Sequence, residues 1–174
     1  MLIYLDTMIV QYCIDYWEYV SGEITGNTDE CPVNEPRLKH ELYALRQLIF
    51  LEQLGDWVYA CTPHLWDELN AGNSTREQRE SYPLFMKTWE ESGWIEAFPL
   101  EETEVSRVED SLKTLNLSHP ADQRHLAEAM VLNASWFLTN DNEVISKCRG
   151  KALPLHISRP SECLSEITRG LFLR

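Results

Sequence analysis

The chain has 174 residues, of which 44% are hydrophobic, and a net charge of −13. This length and composition are typical of one globular domain (1–174) with its own core, and they exclude a disordered chain. No run approaches the roughly 20 apolar residues that span a bilayer, and the start lacks the basic residues of a signal peptide, so we expect a cytoplasmic protein without a membrane segment.

Taken in chain order, the sequence predicts short apolar strands that alternate with helices. Strands are predicted at 2–5, 57–61, 94–98, 136–139 and 155–157. Helices are predicted at 8–20, 37–54, from 62–63 onward, 75–92, 101–115, 120–133, 142–149 and from about 160 to the end, with a long polar loop over 21–36. This alternation predicts an α/β fold whose mostly parallel sheet is covered on both faces.

The five cysteines are scattered and form no CxxC pair, which argues against a disulfide framework and against a zinc site. The net charge argues in a similar way against a generic nucleic-acid binder, because an acidic surface repels phosphate. A nucleic-acid substrate would therefore require a local basic patch or a basic partner.

Four carboxylates stand near the carboxyl ends of the predicted strands, where ligands bind in such folds. Asp6 follows the first strand, Glu68 lies in the helix after the second, Asp122 opens a helix behind Pro120, and Asp141 follows the fourth strand. Each has a plainer explanation as a helix cap, a favourable acid at a helix start or an exposed acid. Together they would repel one another, so their convergence predicts a divalent cation. Oxygen ligands without histidine or thiolate suit Mg²⁺ or Mn²⁺.

Several segments resemble the PIN domain family, the nuclease fold of many toxin–antitoxin toxins and of several RNA-processing enzymes. The segments are Ile3–Thr7, Thr62–Leu69, Ala121–Ala129, Trp136–Asp141 and Leu155–Glu162. The resemblance implies a PIN-like three-layer α/β/α domain. It also implies a metal-dependent endoribonuclease in which Asp6, Glu68, Asp122 and Asp141 hold Mg²⁺ or Mn²⁺ and RNA phosphodiester bonds are hydrolysed.

The resemblance implies partners as well. They are an RNA substrate and an antitoxin or other basic protein partner that inserts a chain at the acidic site, and the resemblance also allows a homodimer. The competing hypothesis is a non-catalytic PIN-like module that binds RNA or protein.

Further residues complete the predicted site. Thr7 and Thr139 stand beside proposed ligands and are expected to orient carboxylates or water, although helix capping by Thr7 and strand propensity at Thr139 explain them equally well. His125 is a candidate RNA contact. The densest basic cluster is a candidate phosphate contact, with the favourable placement of cations at a helix end as its alternative; it comprises Lys147, Arg149 and Lys151.

Overall fold

The computed structural model describes residues 1–22, 31–52, 55, 57–71, 82, 85, 87–89, 91 and 95–172. Part of the predicted loop, residues 23–30, lies outside this description, as does much of the predicted helix at 75–92. The described residues within 75–92 are helical, among them Tyr82, Phe85 and Trp89.

Five strands form one sheet, and each agrees with a predicted strand to within about one residue at either end. They are β1 Leu2–Leu5, β2 Val58–Cys61, β3 Ile95–Ala97, β4 Trp136–Leu138 and β5 His156–Ser158. Their order is β3-β2-β1-β4-β5, and every neighbouring pair is parallel. The predicted parallel α/β sheet is therefore confirmed.

The helices follow the predicted segments, except that the single helix predicted at 8–20 is two helices, because the backbone of Tyr16 leaves the helical conformation. They are α1 Thr7–Asp15, α2 Trp17–Val20, α3 Pro36–Glu52, α4 Pro63–Ala71, α5 Glu102–Leu112, α6 Pro120–Val131, α7 Asn142–Cys148 and α8 Pro160–Phe172, with a 3₁₀ turn at Lys113–Leu115. Four of them begin at a proline, which has no N–H to leave unpaired and a backbone angle suited to a first helical residue.

Alternate strand residues point to opposite faces of the sheet, and both faces are buried. Ile3 and Leu5 of β1 belong to a core that includes residues of α1 and α3, whereas Tyr4 belongs to a second core with residues of α5 and α6. β4 repeats this pattern, because Phe137 joins the second core and its neighbours join the first. A sheet with a core on each face is compatible with a three-layer α/β/α arrangement.

The strand order places a crevice at the carboxyl end of β1. The chain passes from β1 to β2 and β3 on one side of it, and then crosses to β4 and β5 on the other side. Such a switch in direction is where ligands bind in open parallel sheets. None of the described helices is long and apolar enough to cross a membrane.

Candidate carboxylate site

Asp6 and Asp141 stand on either side of this crevice and are joined through Thr139. Asp6 follows β1 and is 6% exposed, and the Thr139 hydroxyl donates to its Oδ2 at 2.6 Å. The same hydroxyl accepts from the backbone N–H of Asp141 at 2.9 Å. Thr139, fully buried after β4, therefore holds the Asp6 carboxylate in a defined orientation.

Asp141 caps α7, as its plainer explanation proposed. Its Oδ1 accepts from the N–H of Glu143 at 2.5 Å and of Val144 at 3.2 Å. Capping accounts for the position of this acid. Capping by Thr7, in contrast, was wrong, because Asp6 has the extended backbone of the N-cap and Thr7 is the first helical residue.

Asp122 is the carboxylate that a helix-start role does not explain. Burial, followed by the negative charges of Asp6 and Asp141, raises its pKa from 3.8 to about 6, and Glu68 adds to the effect. A helix N-terminus alone would favour the charged form and lower the pKa. Its Oδ2 is also buried without a hydrogen-bond partner among the described residues. Asp122 therefore experiences the charge of all three other predicted acids.

Glu68, rather than its neighbour Asp67, faces the site. Its Oε2 lies 2.6 Å from His125 Nε2 and accepts a hydrogen bond from the Thr7 hydroxyl. The hydrogen bond from His125 is the main reason that the pKa of Glu68 is lowered. Asp67 is exposed on the outer side of α4.

A buried polar network behind Glu68 was missed by the sequence analysis. Glu128 is 1% exposed and accepts hydrogen bonds through Oε2 from the Tyr4 hydroxyl at 2.8 Å and the Thr62 hydroxyl at 2.6 Å. Its Oε1 accepts from Arg124 Nε at 2.8 Å. His125, also 1% exposed, lies with Nδ1 3.0 Å from the Tyr4 hydroxyl and 3.7 Å from Glu128.

This network contains opposed charges. Although burial favours its neutral form, Glu128 has a pKa lowered to about 2 by the nearby His125 and by hydrogen bonds from Thr62, Arg124 and Tyr4. Burial likewise opposes the charged form of His125, but the neighbouring carboxylates of Glu128 and Glu68 raise its pKa to about 9. His125 is therefore cationic at neutral pH. Its burial contradicts the prediction that it contacts RNA.

The oxygen ligands fit a hard divalent cation in chemistry, although they are not gathered into a finished ligand set. Within the described parts of the chain, no group of three or more His, Cys, Asp or Glu side chains is arranged to hold a metal ion. Oxygens of Asp6, Glu68 and Asp141 instead accept bonds from protein donors. The unpaired, buried Oδ2 of Asp122 remains available to a cation.

The predicted basic cluster lies at the far end of α7 from Asp141. Lys147, Arg149 and Lys151 are exposed. A helix of seven residues is about 10 Å long, so its last turn is separated from the carboxylates by that distance. A role in RNA binding stays a prediction.

A different pair of cations lies nearer to the carboxylates. Arg37 in the first turn of α3 and Arg159 directly after β5 both donate to Oδ1 of Asn142, at 2.9 Å and 2.5 Å. Asn142 is the residue after Asp141. Sequence analysis assigned no role to Arg159, because three separate segments must be folded together before this pair exists.

All five cysteines are buried and free, as expected from their scattered positions. Comparison of the chain with protein-family models, with curated proteins and with solved structures found no match. The resemblance to the PIN family therefore stays a prediction carried by the residues themselves.

Proposed function

We propose that the chain is a PIN-like endoribonuclease that depends on Mg²⁺ or Mn²⁺ and hydrolyses RNA phosphodiester bonds. The observation that carries the proposal is the electrostatic coupling of Asp122 to Asp6, Asp141 and Glu68 at the switch point of a parallel sheet. Repulsion among the four acids raises the pKa of Asp122 and is unfavourable for folding when no cation is present. A bound cation offsets this cost.

The chain's own groups have separable roles in this proposal. Asp6, Glu68, Asp122 and Asp141 hold the cation, which when bound would acidify water and offset the negative charge of the phosphodiester. Thr139 orients Asp6 from within the sheet. His125 and Thr7 orient Glu68. Because His125 is cationic and buried, it also reduces the mutual repulsion of the acids.

The test compares the rates at which the parent and the variants Asp6→Asn and Asp141→Asn cleave a fluorescent single-stranded RNA in the presence of Mn²⁺. Asn keeps the size of each side chain and, at position 141, the capping oxygen, so the fold is retained. We expect a loss of at least about 100-fold for each variant, as is typical when charge stabilisation of a transition state is removed. Asp110→Asn, on the exposed end of α5, is the matched control and should cleave like the parent. Unchanged cleavage by both site variants would refute the proposal.

A non-catalytic RNA- or protein-binding module is the second candidate. It is favoured by the engagement of Glu68 with His125 and Thr7, since a cation must compete with both donors for this carboxylate. RNA binding without Mn²⁺-dependent cleavage, in a preparation whose melting temperature does not respond to Mn²⁺, would favour the module.

The net charge of −13 supports a basic protein partner, such as an antitoxin segment that inserts an arginine or lysine among the acids. The expected result is that an arginine-rich peptide inhibits cleavage and that inhibition weakens with added salt. The control peptide has the same length with glutamine in place of arginine. Equal inhibition by the glutamine peptide would show that positive charge is not what the site recognises in a protein partner. A homodimer is a further part of the proposal, and light scattering of the purified chain tests it.

A further inference from the structure

A phosphate bound close to four carboxylates requires positive charge nearby, and Arg37 and Arg159 are placed to supply it. Both guanidinium groups donate to the same amide oxygen, so their donating nitrogens are at most about 5.4 Å apart, the sum of the two hydrogen-bond lengths. Two like charges brought this close repel each other. They gain most when an anion joins them, since guanidinium groups bind phosphate oxygens through paired N–H donors.

The charge of this pair is only partly balanced within the protein. Arg159 has one carboxylate neighbour, with its NH1 3.5 Å from Glu162 on the exposed start of α8. Arg37 is exposed, and no described carboxylate lies within ion-pair distance of its guanidinium. On a surface with a net charge of −13, such a pair is an isolated positive spot.

A second observation points to a ligand at the same place. A depression of about 270 Å³ lies beside Arg37 and is lined by Met8, Tyr12 and Asn140, and also by Leu38 and the two acids Glu35 and Glu41. The Oδ1 atom of Asn140 is buried there without a hydrogen-bond partner among the described residues. An unpaired buried acceptor is costly unless a bound group donates to it, and hydroxyl and amino groups of a nucleotide are such donors.

We propose that Arg37 and Arg159 bind a backbone phosphate of the RNA substrate, with the attached nucleotide in the depression beside Asn140. This inference rests on the proposed function. It adds the position of the strand relative to the acids: because Asn142, which holds both arginines, follows Asp141 directly in the chain, the bound phosphate is one that flanks the phosphate to be hydrolysed.

The experiment measures affinity rather than cleavage, so that it is separate from the test of the nuclease. A fluorescent single-stranded RNA is titrated, without divalent metal, with full-length chain carrying Asp122→Asn, alone and combined with Arg37→Gln, Arg159→Gln or both. We expect the double variant to bind at least tenfold more weakly. The slope of log K against log salt should fall by about 0.7 for each arginine removed. Arg107→Gln, an exposed arginine on α5, is the matched control and should change neither.

Lysine variants distinguish a phosphate contact from a structural role. Arg37→Lys and Arg159→Lys keep the charge but cannot form the paired donors, so the salt slope should be fully recovered and the affinity only in part. Affinity and slope that are unchanged in the glutamine double variant would overturn this inference and leave the proposed nuclease intact. Binding of poly-glutamate in place of RNA by the Asp122→Asn protein would overturn it as well, as would the absence of any RNA binding.

Discussion

Replacement of Asp122 by asparagine should stabilise the protein at neutral pH when metal is absent. The pKa of Asp122 is raised to about 6 from 3.8, a shift of about 2 units, and each unit corresponds to about 1.4 kcal/mol. Because Asp122 is only partly buried, solvent screening reduces this figure, and we expect a gain of about 1–2 kcal/mol. At about 3 °C per kcal/mol for a chain of this size, the melting temperature should rise by about 3–6 °C in EDTA at pH 7.

The gain should depend on pH in a defined direction. An acid whose folded pKa exceeds its unfolded pKa destabilises the fold fully above the folded value, and it has no effect below the unfolded value. The gain in the free energy of unfolding from Asp122→Asn should therefore be complete above about pH 6, decline as the pH falls from 6 to 3.8, and vanish below 3.8. The free energy of unfolding, measured by urea titration at pH 7, 5.5 and 4.5, tests this dependence.

Added Mn²⁺ should reverse the order of stability. A cation that binds only the folded parent stabilises it by about 2.7 kcal/mol at a hundred times its dissociation constant, which exceeds the advantage of the asparagine variant, and the variant should lose most of this gain. Asp110→Asn removes one negative charge from an exposed site and controls for the general effect of net charge. A variant less stable than this control in EDTA at pH 7 would refute the reasoning, because Asp122 would then make favourable contacts.

Three further predictions concern the network and the cap. Glu128→Gln should cost about 2–4 kcal/mol by urea unfolding at pH 7, because it removes the buried negative charge that faces His125 and Arg124. It should also reduce the loss of stability that the parent shows as pH falls from about 4.5 to 2. The raised pKa of His125 contributes stability that is fully present below pH 6.5 and is lost as pH rises through about 9. His125→Gln should therefore make the free energy of unfolding nearly independent of pH between 6.5 and 9. At acidic pH, the stability of this variant should still fall as the pH is lowered. Asp141→Ala should destabilise the fold by about 1 kcal/mol whereas Asp141→Asn should cost only a few tenths, and a similar cost for both would show that the cap contributes little.

The fold followed from local patterns in the sequence. Short apolar runs at β1, β2 and β4 could only be strands buried on both faces, and prolines marked the starts of helices such as α4 and α6. Asp6 and Asp141 were singled out in a similar way, because a residue just after a parallel strand lies at the ligand-binding edge whatever the remaining topology. Glu68 and Asp122 lie in helices and were proposed from their place in the chain order.

The network behind Glu68 could not be found this way, since Tyr4, Thr62 and Glu128 meet only through tertiary structure. One signal was available: the apolar residues of α6 surround the helix on more than one side, so polar residues among them must be buried and paired. His125 was misassigned for this reason. For Thr7 only the capping alternative was wrong, because its hydroxyl contacts Glu68 and His125, in agreement with the expected role of orienting a carboxylate.

The pairing of β1 with β4 has a consequence for the order in which the carboxylate residues come together during synthesis. Asp6 leaves the ribosome early, but Thr139 and Asp141, which complete its surroundings, are made 133 residues later or more. A parallel strand pair separated by this length closes slowly, because the chain entropy of a long loop must be overcome first. A nascent chain truncated before β4 therefore holds its first three acids without the strand that orders them. The cell would meet a complete carboxylate site only once nearly the whole chain has been translated.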